Sequence, residues 1–477
     1  MKKLLTLAAV VVLILGLAGA TYAVELKANG FFTNLTAWGQ NLGWPAGFPV
    51  PDAPFATTNT GYDDTFAWNM IWTHLDFTLE ASEDLKGVIG FEGGPAEWGA
   101  AGSHGAVYPG FTANVYQAYV DFKVPGTDAF PTRMVVGLQP WFFTSTLAIG
   151  EYGPGVRLNS TVGPASISLL WRKHEENVEF QSDDMDSYGA SVSVPAGPVT
   201  ASFWSMYYMI RTGANSFVAL PAGVTADGYH WYNALNVRGA VGPVAITGDF
   251  IYGMREVKYN YPVFGTGWYG QPVVWDGEDT SGWVVRANAS IPIAMLTVGG
   301  DFMYATGADY ADWWNDNDWS GYVYPIPVQN YFGLNVATLG DAGLVYFKSF
   351  TNVFPGITGQ AGGDWYAKGF ARMKPLEWMS VSLAAMYIGD TVKNGDKIGT
   401  AIDFLGFPED NGDIGIEVDL VTSISIMENL SYEIGAGYLF AGSALDQYVG
   451  VDPITGWPLN DSPKNPWVIL SNLSYRF

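Results

Sequence analysis

The last eleven residues of the chain alternate. Trp467, Ile469, Leu473, Tyr475 and Phe477 share one face of an extended segment, and Asn472, Ser474 and Arg476 share the other. Successive side chains of a strand point to opposite sides, so this spacing suits a wall that is apolar outside and wet inside. Ser471 departs from the first face, and Val468 and Leu470 blur the second. The same period recurs upstream. Ile71, Thr73, Leu75, Phe77, Leu79 and Ala81 oppose Trp72, His74, Asp76, Thr78 and Glu80; Ala118, Val120, Phe122 and Val124 oppose Gln117, Tyr119, Asp121 and Lys123.

The spacers between such segments alternate short and long. Eight are short: Ser82–Lys86, Pro125–Pro131, Gly163-Pro164, Pro195–Pro198, Gly242-Pro243, Pro292–Ala294, Lys374–Trp378 and Ser425–Asn429. Proline cannot donate to a ladder and glycine tolerates positive φ, so both belong at these turns. Nine are long: Gln40–Thr65, Gly94–Ala113, Pro140–Pro154, Glu175–Asp184, Arg211–Gly228, Val257–Thr280, Gly307–Gly363, Asp390–Gly412 and Gly442–Asn465. Eight short and nine long connectors predict an all-β antiparallel transmembrane barrel of 18 strands, with 16 as the alternative. The expected asymmetry is short periplasmic turns against long extracellular loops. Within Gly307–Gly363, Leu344–Phe350 reads either as a further strand or as part of a loop folded inward.

Both ends support an exported barrel. Lys2 and Lys3 precede an apolar run from Leu4 to Leu17, and Thr21-Tyr22-Ala23 offers small residues for cleavage. That pattern reads as a secretory signal over residues 1–23, leaving one barrel domain over 24–477. No later stretch is long and apolar enough for a spanning helix, so spanning requires strands that close on themselves. Phe477 resembles the terminal aromatic read by the barrel-assembly machinery of the Gram-negative outer membrane. Soluble sandwiches and propellers also alternate, but the leader, Phe477 and the consistently apolar outward faces argue against them.

Composition narrows the function. Only 14% of residues are charged, 15% are aromatic, and there are 19 Trp, 58 Gly and no Cys. Soluble chains carry about a quarter charged residues; an apolar belt with aromatic girdles explains the shortfall. The formal net charge of -24 excludes nucleic acid as a partner. It suits a solvated loop surface, divalent-ion bridging to lipopolysaccharide, or a preference for cations. The four histidines, His74, His104, His174 and His230, form no catalytic string, so no enzyme is expected.

Strand parity places Arg133, Arg157, Arg172, Arg238 and Arg286 on the inward face, with Asp249, Asp301, Asp413, Glu417, Asp419 and Glu433. The arginines lie in the first two thirds and most acids near the end. Two consequences are open: a transverse field across the lumen, or local pairing of each charge. The connector Pro140–Pro154 (PWFFTSTLAIGEYGP) carries one acid, Glu151. It reads either as a constriction loop packed on the inner wall, with Arg157 and Arg172 facing Glu151, or as an extracellular loop packed on its neighbours. Asp316, Asp318 and Ser320 begin a calcium-loop pattern, but Pro327 stands where the closing Glu belongs. Structural Ca2+ there is a weak candidate beside a plain polar loop; no other cofactor is implied.

Val24-Glu25-Leu26-Lys27-Ala28-Asn29-Gly30 resembles the start of the outer-membrane homotrimeric porins of sulfate-reducing bacteria. Gln117 to Asp128 (QAYVDFKVPGTD) and Val136-Gly137-Leu138-Gln139 are similar to that family as well. The resemblance implies a trimer of barrels in outer-membrane lipid, each passing small hydrophilic solutes and ions passively. A selective channel for sugars or small organic acids, with an aromatic sliding track, is the alternative. A plugged adhesive barrel is a third class.

Overall fold

The computed structural model describes residues 24–41, 65–97, 113–142, 150–175, 185–212, 226–259, 265–266, 272–273, 278–307, 318–320, 343–348, 363–392, 403, 409–462 and 464–477. The expected signal over 1–23 lies outside them. Among them run 18 wall strands. They are β1 (Glu25–Gln40), β2 (Thr65–Ser82), β3 (Leu85–Glu97), β4 (Ala113–Lys123), β5 (Thr132–Phe142) and β6 (Gly150–Val162). Next come β7 (Ala165–Glu175), β8 (Met185–Ala196), β9 (Val199–Thr212), β10 (Ala226–Val241), β11 (Val244–Tyr259) and β12 (Glu278–Ile293). The last are β13 (Leu296–Ala305), β14 (Asp364–Leu376), β15 (Met379–Asp390), β16 (Asp413–Met427), β17 (Leu430–Ala441) and β18 (Trp467–Arg476). Each pairs antiparallel with the next, and the short turns fall at the eight places expected from the sequence, six of them marked by Gly or Pro.

The sheet closes. β18 pairs with β1 from Phe31↔Arg476 to Gln40↔Trp467. Below that register Gly30 donates to the carbonyl of Phe477 at 2.9 Å and Phe477 donates back to Gly30 at 3.1 Å. The terminal aromatic is therefore held at the seam. A Cβ on Gly30 would stand 2.2 Å from the carbonyl oxygen of His74, so the seam requires glycine there. Closure joins the first and last strands, the condition for crossing hydrocarbon with strands.

The outward face is apolar along the whole circumference. Phe203, Leu235, Phe250, Leu383, Leu420 and Phe440 are exposed on it. Tyr207 stacks on Tyr229 and Trp283 on Tyr304, with ring centroids 5.7 and 5.0 Å apart, toward the long-loop end. Exposed apolar surface on this scale is unstable in water and stable in lipid.

Inside, the described lumen wall is not polar throughout. One hydrophobic cluster joins inward residues of β8 through β18 and β1, including Trp204, Tyr232, Ile251, Met303, Leu439, Val468, Leu470 and Leu35. Among the described residues it contains none from β2 to β6. Leu344, Val345 and Tyr346 belong to it; they lie in a single π-helical turn, Leu344–Lys348, so this stretch is an inward loop and not a wall strand. That resolves the blur on the last strand: β18 touches this turn, and Val468 and Leu470 are inward because they pack in the cluster. The alternation rule has no means of knowing that apolar cover will arrive from elsewhere in the chain.

Candidate functional site

Among the described residues, two inward segments are held by charged side chains of the inner wall. The first is the end of the β5–β6 hairpin. β5 stays on β4 only as far as Ala118↔Leu138, and β6 stays on β7 only as far as Gly155↔Arg172. The two strands remain paired to each other up to Phe142↔Gly150. The hairpin end thus leaves both neighbours at Gly137, whose φ of +127° suits glycine and whose added Cβ would meet the Ala118 carbonyl at 2.3 Å. Tyr152 then meets Tyr116, edge to face at 4.7 Å, on the lumen side of β4.

Two arginines hold this hairpin by its carbonyls. Arg157 donates from Nη1 to Pro140 O at 3.2 Å, and Arg172 from Nη2 to Tyr152 O at 3.1 Å. Trp141, buried, lies over the Arg157 guanidinium at 5.9 Å and donates its indole N–H to Gly153 O at 3.0 Å. The connector expected over Pro140–Pro154 is therefore shorter: Pro140–Phe142 and Gly150–Pro154 are paired strand, and 143–149 lie outside the described residues. Glu151 pairs with Trp141 in the ladder; its side chain is not among those described.

The second is the Leu344–Lys348 turn, held by its N–H groups. Asp419 accepts from Leu344 N at 3.3 Å, and Glu417 accepts from Val345 N at 2.6 Å and Tyr346 N at 2.9 Å. The Tyr346 hydroxyl donates to Asp364 at 2.8 Å. Glu417 and Asp419 are buried and two residues apart on β16, hence on the same inward face.

The remaining inward charges are mostly satisfied beside where they stand. Arg133 donates to Asp121 at 2.8 Å, and Lys86 approaches the same carboxylate at 3.3 Å. Arg286 makes a two-pronged pair with Asp301 at 3.0 and 2.6 Å, with Lys368 at 3.5 Å. Asn236 donates to Asp249 at 2.7 Å and Ser423 to Glu433 at 2.8 Å. Arg238 lies on the inward side of β10 and is exposed there. Of the two consequences of the inward charges, the structure realises local satisfaction over a cross-lumen field. Neighbouring strands put partners within hydrogen-bond reach, and an unpaired charge beside an apolar cluster is expensive.

The wall of β2 to β4, which contributes no described residue to the cluster, carries a third feature. His74 stacks between Phe31 and Tyr116, with centroids 4.5 and 4.3 Å away. Its Nε2 lies 2.9 Å from Glu92 Oε1, which also accepts from Trp72 Nε1 at 2.7 Å. Asp76 Oδ1 accepts from Gln117 Nε2 at 2.6 Å and from the Tyr116 hydroxyl. Tyr116 faces inward beside Gln117 because a bulge opposite Gly90 and Phe91 inserts one residue into β4. Sequence alternation misses Tyr116 and Tyr152: a bulge leaves no mark in a period-two pattern, and the hairpin departs only through one glycine.

For calcium, Asp316 lies outside the described residues. Asp318–Ser320 is a short extended strand parallel to β12, whereas a calcium loop must turn there. Among the described residues, no three His, Cys, Asp or Glu side chains gather as a metal site requires.

No protein-family model matches the sequence. No curated protein matches it either. Solved structures similar over nearly the whole chain include OccAB1 of Acinetobacter baumannii, at 12% identity and a TM-score of 0.49, covering 96% of this chain and 99% of that one. OccK11 (OpdR) of Pseudomonas aeruginosa is similar at 9% identity and a TM-score of 0.48, covering 95% and 96%. The outer membrane channel DcaP of Acinetobacter baumannii is similar at 11% identity and a TM-score of 0.40, covering 95% and 98%.

Proposed function

We propose that this protein is an outer-membrane channel through which small hydrophilic solutes and ions diffuse passively. One observation carries the reading. A closed barrel with an apolar exterior fills one side of its lumen with a packed cluster, yet leaves the polar wall of β2 to β6 outside that cluster. Water and solutes have their route along that wall, narrowed by the β5–β6 hairpin. The charged side chains tether the inward segments, and that is how a barrel of this width keeps a defined aperture. There is no chemistry in this reading: the channel lowers the barrier to crossing by supplying water and polar partners in place of lipid.

The exported, outer-membrane placement rests on the amino-terminal signal pattern, Phe477 at the seam and the apolar exterior. Assembly as a homotrimer, in contact with lipopolysaccharide, rests on the resemblance of residues 24–30 and 117–128 to porins. Conductance of the purified protein in planar bilayers tests the channel. Stepwise openings in KCl support it, and a barrel that inserts without conducting is a plugged structural barrel. A mass measurement in detergent tests the trimer.

A solute-selective channel is the second reading, favoured by the ring and carboxylate cluster on β2 to β4. Currents that saturate with one solute class distinguish it from general diffusion.

A further inference from the structure

We infer that the cleft between β2–β4 and Tyr152 is a binding station for small organic cations, an ammonium group on an apolar body. The inference deepens the channel reading and rests on it for the station's place along a permeation route.

Asp76 and Glu92 are built alike. Each has one carboxylate oxygen that accepts two hydrogen bonds from its own wall: Tyr116 and Gln117 for Asp76, Trp72 and His74 for Glu92. Asp76 Oδ2 and Glu92 Oε2 take no hydrogen bond from the described residues. The carboxyls are thus locked in orientation while half of each stays available. The Glu92 side chain is 26% exposed, so solute reaches it. Asp76 pairs with Gly90 and Glu92 with His74, which makes the two acids diagonal neighbours on adjacent strands, about 7–8 Å apart along the backbone. One ammonium group between them reaches both.

The surroundings select the rest of the ligand. Trp72 and Tyr116 flank the acids, and Tyr152, 36% exposed, closes the far side from the inward hairpin. Ring faces attract cations and accept apolar carbon, and both free oxygens repel anions. The guanidiniums nearest the hairpin are engaged by its backbone: Arg157 and Arg172 donate to Pro140 O and Tyr152 O. A bare metal ion fits less well, because three convergent ligands are not present among the described residues. Conduction needs binding weak enough to release, and a partly open cleft with two fixed acceptors meets that need.

The test is benzylammonium chloride added to single channels of the purified protein in KCl, beside benzyl alcohol and benzoate. We expect saturable block by benzylammonium alone. In an Asp76→Asn, Glu92→Gln double variant the half-blocking concentration rises about tenfold or more. Tyr152→Leu, which touches neither acid, weakens block as well and carries the test if the double variant fails to give a heat-modifiable barrel. Equal block by benzyl alcohol, or block unchanged in the variants, overturns the station. Calorimetric titration of benzylammonium into the detergent-solubilised protein separates the two readings. Binding without any KCl conductance removes the channel and keeps the station; conductance with neither block nor binding removes the station and keeps the channel.

Discussion

Arg172 donates from Nη2 to the main-chain carbonyl of Tyr152 at 3.1 Å. Across the lumen, Glu417 accepts the main-chain N–H of Val345 at 2.6 Å. Wall guanidiniums hold the oxygens of one inward segment, and wall carboxyls hold the nitrogens of the other. A segment entering the lumen leaves the sheet and its ladder, so its polar groups need partners that reach out from the wall.

Releasing the hairpin should widen the aperture. In Arg172→Met the Tyr152 carbonyl loses its donor, a contact of about 1.5–3 kcal/mol for a charged partner. We expect larger single-channel conductance and noisier open states. Conductance equal to wild type means that the hairpin does not limit flow.

The opposite tether behaves in parallel. Glu417→Ala removes the acceptor for two N–H groups in a buried setting, at a cost of about 1–3 kcal/mol for each group left unsatisfied. The turn at residues 344–348 then becomes accessible to limited proteolysis in folded protein, while the barrel stays heat-modifiable on a gel. Unchanged protease resistance counts against the tether.

The Arg286–Asp301 pair predicts a stability effect apart from conductance. Asp301 is 1% and Arg286 11% exposed, with Lys368 at 6% on the same carboxylate. Asp301→Ala removes the two-pronged partner of the buried Arg286 guanidinium and should cost about 3–5 kcal/mol in urea unfolding. A double variant, Asp301→Ala with Arg286→Met, recovers part of that loss; no recovery would show that the pair is not the cause.

Gly137→Ala places a Cβ 2.3 Å from the Ala118 carbonyl at a backbone φ of +127°. Strain of about 1–3 kcal/mol favours returning the hairpin to the wall plane. Faster hydrogen–deuterium exchange in peptides spanning Leu138–Phe142, read by mass spectrometry, is the expected signature; unchanged exchange there counts against it.

Deleting Phe477 removes both main-chain hydrogen bonds to Gly30. We expect slower assembly and a smaller folded fraction in membranes, measured by heat-modifiable mobility over time. An unchanged folding rate in lipid vesicles alongside slower assembly in cells would assign Phe477 to recognition by the assembly machinery alone.

Alternation and turn residues determined the cylinder. Eight short turns, six of them marked by Gly or Pro, the outward apolar face and the inward parity of Arg157, Arg172, Glu417 and Asp419 follow from a period of two and the spacing of polar connectors, and of the 18 or 16 strands these allow the structure has 18. These are local properties, readable wherever the chain repeats them. The use of those inward residues was decided only in three dimensions. Glu417 meets Val345 across 72 positions of sequence, and Tyr116 reaches Asp76 across 40 through a bulge. No local pattern encodes which distant segment will enter the lumen. That choice belongs to the closed barrel, where every polar group taken from water must find a partner and apolar side chains find cover together.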